Sequence, residues 1–279
     1  MPKLRISAIS YLNTAPLMWD FEHGSSGADF DISYTVPSKC AGQLKEGSAD
    51  IGIIPAAAYA TVPDLVILPG VAIASRRAVR SILLLCKAPL EQVRTVALDT
   101  SSLTSVALTK VLFARWWGGE RKFASAPPDV EKMLQNHDAA LLIGDPALKV
   151  DRSKYVAYDL AEEWIRLTGK PFVFAFWAVR QQSLTRNSAG LDLPGIFQRS
   201  RDHGLEPANV LQIAAEWSSK LALSREEIHT YLTRNIHYSL DADCLEGLHL
   251  FLKYAQDCGA LPQSRPLDLL QTVAEPAQP

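Results

Sequence analysis

Two strand–polar turn–helix corners set the limits on how this chain folds. The first is Ile6-Ser7-Ala8-Ile9-Ser10-Tyr11-Leu12-Asn13-Thr14-Ala15-Pro16-Leu17. The second, Asp99-Thr100-Ser101-Ser102-Leu103-Thr104-Ser105, follows roughly 90 residues later. In each, a short apolar run that reads as a strand stops at hydroxyl and amide side chains, and a helical segment follows. Pro16 suits the first turn of a helix, where its missing N–H costs no bond. Free N–H groups at such a corner favour a carboxylate or phosphate. Ser10, Asn13 and Thr14 occupy the first corner, and spacing alone favours the plainer role for Asn13 or Thr14, a helix cap. At the second corner, capping by Ser101 or Ser102 and hydrogen bonding to a carboxylate stand level.

The alternation of strand and helix continues. Leu4–Ile9, Phe30–Val36, Asp50–Pro55, Leu65–Ala74, Arg80–Cys86, Val93–Leu98, Ala139–Ile143 and Phe172–Val179 read as strands or extended segments. Pro37–Leu44, Ala56–Ala60 and Leu103–Trp117 read as helices between them. Beyond Ser183 the segments Gly204–Leu221, Ser224–Ser239 and Asp241–Cys258 read as amphipathic helices, and Ser224-Arg225-Glu226-Glu227 is a capping-box pattern. The proline-rich tail from Pro262 reads as irregular, and as disordered beyond Val273. The expected fold class is α/β, with mixed, mostly parallel sheets in a two-lobed binding-protein-like architecture. Residues 1–82 and 176–279 make lobe one with the C-terminal helices, and residues 83–175 make lobe two. The crossings fall near Arg80–Lys87 and Val173–Val179, and a ligand cleft lies between the lobes.

Composition narrows the function classes. Among 279 residues, 28 basic side chains face 30 acidic ones, a net charge of −2. That balance gives no general attraction to nucleic acid or to an anionic membrane surface, so an anionic ligand needs a local site. No apolar run is long enough to span a membrane. The N-terminus carries no signal-peptide pattern, which makes the cytoplasm the expected location. Cys40, Cys86, Cys244 and Cys258 show no metal-ligand spacing; reduced thiols are expected, with Cys86 a small buried hydrophobe. No metal and no cofactor are expected. The histidines lie away from the polar corners, and none is placed as a general base. Nucleophile-elbow, P-loop and dinucleotide glycine motifs are absent.

Three further features bear on a cleft. In Gly144-Asp145-Pro146-Ala147, Gly144 lets a ligand approach the backbone and Asp145 suits a helix cap. Arg76 and Arg77 read as a solvated loop, whereas Ser81 falls at the cleft edge. Trp164 and the aromatic stripe Phe172, Phe174, Phe176, Trp177 read as core.

The run from Ser10 to Leu17 resembles the N-terminal signature of the chorismate dehydratases of the futalosine route to menaquinone. Leu141–Ala147, Thr168–Trp177 and Asn235–Leu240 are similar to later segments of that family, in the same order. The resemblance implies a type II periplasmic-binding-protein fold used as a cytoplasmic enzyme. It implies a small-molecule substrate, chorismate, and a hydro-lyase product, 3-[(1-carboxyvinyl)oxy]benzoate. By the same analogy Asn13 is the catalytic contact. Ser10, Tyr11, Thr14, Ser81, Thr100, Ser101, Ser102, Gly144 and Asp145 would bind substrate. One departure stands out: Arg77-Ala78-Val79 replaces a Gly-Pro-Val before the crossing strand. Alternatives are the related dihydroxynaphthoate synthase, whose first corner resembles Ser-Pro-Cys-x-Asn-Asp-Thr, and a solute-binding or sensor protein for an aromatic carboxylate.

Overall fold

The computed structural model describes residues 3–186 and 191–271. The disorder expected beyond Val273 lies outside the described residues. Among these residues there are ten strands: β1 (Leu4–Ile9), β2 (Phe30–Thr35), β3 (Ile51–Pro55), β4 (Leu65–Ser75), β5 (Ile82–Cys86), β6 (Thr95–Asp99), β7 (Lys122–Ala126), β8 (Ala139–Ile143), β9 (Val156–Asp159) and β10 (Phe172–Arg180). They form two five-stranded sheets, ordered β2-β1-β3-β10-β4 and β7-β6-β8-β5-β9. Within the sheets β1 runs parallel to β2 and β3, and β6 runs parallel to β7 and β8. The antiparallel pairings come from the strands on either side of the crossings, β10 with β3 and β4, and β5 with β8 and β9. Strands β3, β5 and β8 are buried on both faces, which is why they read as unbroken apolar runs.

The crossings differ from the expected positions. Strand β10 is hydrogen-bonded to β4 from Phe172 onward, opposite Ser75. The chain therefore leaves the first sheet in the loop Arg76–Ser81 and returns before Phe172. The physical reason is that β10 is apolar on both faces and nearly all buried, so its residues gain more from central pairing than from spanning solvent. Among the segments that went unread are the polar edge strands β7 and β9, the short helix Val130–Asn136, and the helix Leu160–Thr168, whose cap is Asp159. The two strands carry little apolar alternation because much of each is exposed at a sheet edge.

The C-terminal helices pack on the first corner. The helix Leu193–Gly204 was not anticipated; it ends where a longer helix was expected to begin, and Pro207–Leu221 follows. A Cβ on Gly204 would lie 2.0 Å from the Pro16 carbonyl oxygen, so only glycine permits this approach. The Ser200 hydroxyl donates to the Leu17 carbonyl (2.9 Å) and accepts from the Asp20 N–H (3.0 Å). The capping box at Ser224 and Glu227 forms as read. Its helix, Arg225–Thr230, widens into a π-turn over Tyr231–Asn235 and stops short of the expected Ser239. There the chain turns to pair His237 with Ala74. Trp164, Phe172 and Phe251 meet edge to face in the core, with Trp164 and Phe172 centroids 5.3 Å apart. Cys86 is buried in β5.

Candidate active site between the two sheets

A cavity of about 420 Å³, counting its open mouth, lies where both polar corners converge. Ile9, Tyr11, Asn13, Pro37, Pro55, Ile73, Phe174 and Ala175 line it from the first sheet's side. Ile82, Ser102, Thr104, Ser105, Ile143 and Gly144 line it from the second. Among the described residues, no lysine, arginine or histidine lines this cavity. Its polar groups are an amide, hydroxyls and backbone.

The first corner is a tight 3₁₀ turn, Leu12–Met18, with no side-chain cap of its own. The capping role expected for Asn13 or Thr14 is filled from across the cleft. Asp145 accepts the Leu12 N–H at 3.0 Å. Asn13 is thereby free to face the cavity, with its Oδ1 3.4 Å from the Thr14 hydroxyl. At the second corner the Ser102 hydroxyl accepts the Ser105 N–H (3.1 Å), the capping role, and Ser102 also lines the cavity. Ser101 instead bonds to Asp99, which accepts from its N–H (2.8 Å) and its hydroxyl (2.5 Å). The other Asp99 oxygen accepts the Ile143 N–H at 3.1 Å, tying the corner to the end of β8.

Hydrogen bonds join the two sides of the cavity. Tyr11 donates its hydroxyl to Ser101 at 3.3 Å, and the Ser38 N–H reaches the Ser101 carbonyl at 3.1 Å. Thr104 donates to the Phe174 carbonyl (3.0 Å) and accepts the Ala57 N–H (3.1 Å). Ser81 is fully buried; its carbonyl accepts the Gly144 N–H at 2.8 Å, and its hydroxyl accepts from Tyr231 at 2.8 Å. The three remaining expected contacts stand elsewhere. Ser10 and Thr14 line a neighbouring cavity of about 580 Å³, its open mouth again included, that shares only Ile9 and Tyr11 with the first. Thr100 is exposed, its N–H bonded to the Ala126 carbonyl at 3.1 Å. These three side chains fall outside because the strand-to-turn geometry points successive residues to different faces. Arg76 also stays away from the cavity and pairs with Asp241 (2.9 Å) and Asp243 (3.1 Å).

Sequence reading missed Tyr231 and Asp159 as residues that shape the site, and placed Asp99 in the second corner without giving it a role. Asp159, almost wholly buried, accepts from Val79 (3.1 Å) and Arg80 (2.6 Å) N–H groups at the crossing. It also caps the next helix through the Ala161 and Glu162 N–H groups. Arg80 has φ +66°, the left-handed region, so the departure at Arg77-Ala78-Val79 is accommodated by a strained residue held by a carboxylate. The pattern Asp159-Leu160-Ala161-Glu162 was the available signal, an N-cap followed by Glu at the third helical position.

Gly144 has φ +61°, and an added Cβ would lie 2.5 Å from the Tyr11 ring. Gly144→Ala is expected to lower stability by about 1–3 kcal/mol through backbone strain, with displacement of Tyr11 in addition. Thermal melting against wild type checks this; an unchanged Tm overturns it.

Burial pushes the Asp145 carboxyl up to about 6, with the Leu12 N–H and Lys149 opposing. An unfolded chain titrates this group near about 3.9. The folded state therefore holds the proton more tightly than the unfolded one. The resulting stabilisation is complete below about pH 4 and is lost as pH rises through about 6. Asp145→Asn is expected to gain Tm relative to wild type above pH 6 and not below pH 4. Parallel melting curves for the two proteins from pH 4 to 8 read this out.

A family model described as menaquinone biosynthesis matches residues 4–257. The chain belongs to the menaquinone-biosynthesis family. The curated chorismate dehydratase of Thermus thermophilus is 28% identical over 265 residues, 86% of this chain and 91% of that protein. Solved structures give the family's fold a wider setting. The periplasmic aliphatic sulphonate binding protein SsuA of Escherichia coli has a TM-score of 0.64 at 18% identity, covering 100% of this chain and 97% of its own. The alkanesulfonate-binding protein SsuA of Xanthomonas axonopodis pv. citri, solved with MOPS, has a TM-score of 0.67 at 16% identity, with 94% of each chain covered. At these identities the likeness establishes the periplasmic-binding-protein-like fold. Among the described residues, no helix of this family member is long and apolar enough to cross a membrane.

Proposed function

We propose that this protein dehydrates chorismate to 3-[(1-carboxyvinyl)oxy]benzoate. The observation that carries the reading is the interlobe cavity itself: apolar walls, one buried amide at Asn13, and neutral donors from both corners. An apolar ring bearing carboxylates matches that lining. The 28% identical relative named chorismate dehydratase supports it. In the reaction the C–H on the ether-bearing ring carbon breaks, and its electron pair completes the aromatic ring. The C–O bond on the neighbouring ring carbon breaks with it, and proton and hydroxide leave as one water. Aromatisation supplies the drive, so positioning and exclusion of water carry most of the catalytic demand. Asn13 hydrogen-bonds the reacting region, the Ser102 and Ser105 side chains hold carboxylate, and Gly144 lets the ring approach. The substrate's own enolpyruvyl carboxylate takes the ring proton and passes it to the departing hydroxyl, which leaves as that water. On this reading the lobes are residues 1–82 with 176–279 and residues 83–175, adjusted to the return before Phe172.

The test is purified protein mixed with chorismate and followed by mass spectrometry and ultraviolet absorbance. Loss of one water with appearance of the enolpyruvyl benzoate is the expected result. Saturable binding with no product would instead favour a sensor of aromatic carboxylates, the function class of the binding-protein fold.

A further inference from the structure

Tyr231 sits in the π-turn that interrupts the helix beginning at Arg225, and such widened turns often serve functional sites. Its side chain is 2% exposed. The hydroxyl donates to the Ser81 hydroxyl at 2.8 Å and interacts with the Asn13 amide. One phenol thus joins a residue of the first corner to the residue that opens the crossing strand. The ring comes from the C-terminal helices, so a third part of the chain reaches the back of the cleft. Tyr231 is not among the residues lining the cavity.

We propose that Tyr231 is a positioning residue for the dehydration, fixing the Asn13 amide and the Ser81 hydroxyl in one orientation. An amide side chain has two donors and one acceptor oxygen. The Thr14 hydroxyl donates to the amide oxygen at 3.4 Å, and the Tyr231 hydroxyl, itself anchored on Ser81 at 2.8 Å, interacts with the same side chain, so two neighbours restrict rotation of the amide. Without the phenol the amide is free to rotate, and the donor no longer points at the reacting carbon on every encounter. Low dielectric around the group makes this restraint stronger than it would be in water.

A matched control is close by. Tyr238 is also buried, at 4% exposed, and its hydroxyl has no hydrogen-bond partner among the described residues. Tyr231→Phe and Tyr238→Phe each delete one buried hydroxyl and keep the ring. This inference rests on the dehydratase reading, and wild-type turnover of chorismate is measured first: its absence sinks that reading and not the geometry. With turnover established, Tyr231→Phe is expected to lower kcat about 10- to 100-fold, the scale of losses from misplaced reacting groups, with KM changed far less. Tyr238→Phe keeps wild-type kcat. Ser81→Ala removes the acceptor of the Tyr231 hydroxyl and is expected to lower kcat in the same direction. Melting curves on each variant separate lost folding from lost positioning. Wild-type kcat in folded Tyr231→Phe overturns the proposal, as does an equal loss in Tyr238→Phe.

Discussion

Asn13→Ala is expected to lower the turnover of chorismate by about two to three orders of magnitude, the usual cost of deleting one preorganised donor at a reacting centre. Asn13 is 9% exposed, faces the interlobe cavity, and is the one amide side chain in its lining among the described residues. No carboxylate, imidazole or amine among those residues lines the cavity to compensate. The loss should fall mainly on kcat, because the apolar walls and the second corner remain to bind substrate. Steady-state kinetics on chorismate, with product identified by mass, measures it. An unchanged kcat in a folded variant removes Asn13 from the mechanism. Asn13→Asp keeps the shape, replaces N–H by oxygen and adds a charge that repels a dianionic substrate, so it is expected to lose at least as much turnover.

The second large effect is on stability. Asp159→Ala leaves four backbone N–H groups without their acceptor, two at the crossing (Val79, Arg80) and two at a helix start (Ala161, Glu162). Losing a helix cap costs about 1 kcal/mol, and stranding further buried donors adds about 1–3 kcal/mol. A total near about 3 kcal/mol corresponds to a fall in Tm of roughly 6–12 °C for a chain of this size. Thermal or urea unfolding reads it directly. Because Arg80 holds a left-handed conformation only while its N–H is pinned, the variant should also loosen Ser81 at the adjoining position. A Tm within about 2 °C of wild type would show that the crossing loop is held by something other than this carboxylate.

Both residues illustrate how far the sequence reaches. The corner that carries Asn13 is legible because a strand, a polar turn and a proline follow one another within a dozen residues, but spacing favours a helix cap for Asn13 and only the family resemblance makes it a substrate contact. Local signals also make Ser102 at the second corner and the capping box at Ser224 legible. Asp159 is half-legible: its helix-capping pattern is local, but its grip on Val79 and Arg80 joins positions about 80 residues apart. Tyr231 is not legible at all. It meets Ser81 across 150 positions of sequence, through a helix that changes its winding only where Tyr231 must turn inward. Among the residues expected around the ligand, Ser10, Thr14 and Thr100 were read from the corner as a whole. One step along the backbone is enough to send a side chain to another face.

Sequence alone determined the α/β class, the pair of polar corners and the neutral, hydroxyl-and-amide character of the site. Those follow from short-range patterns of apolar and polar residues and from the conformational limits of proline and glycine. Tertiary structure alone decided which corner residues share a cavity, where the chain crosses between sheets, and which buried groups hold the site in place. Strand pairing and helix docking fix those matters through contacts between residues far apart in the chain, where burial and hydrogen-bond satisfaction outweigh local preference.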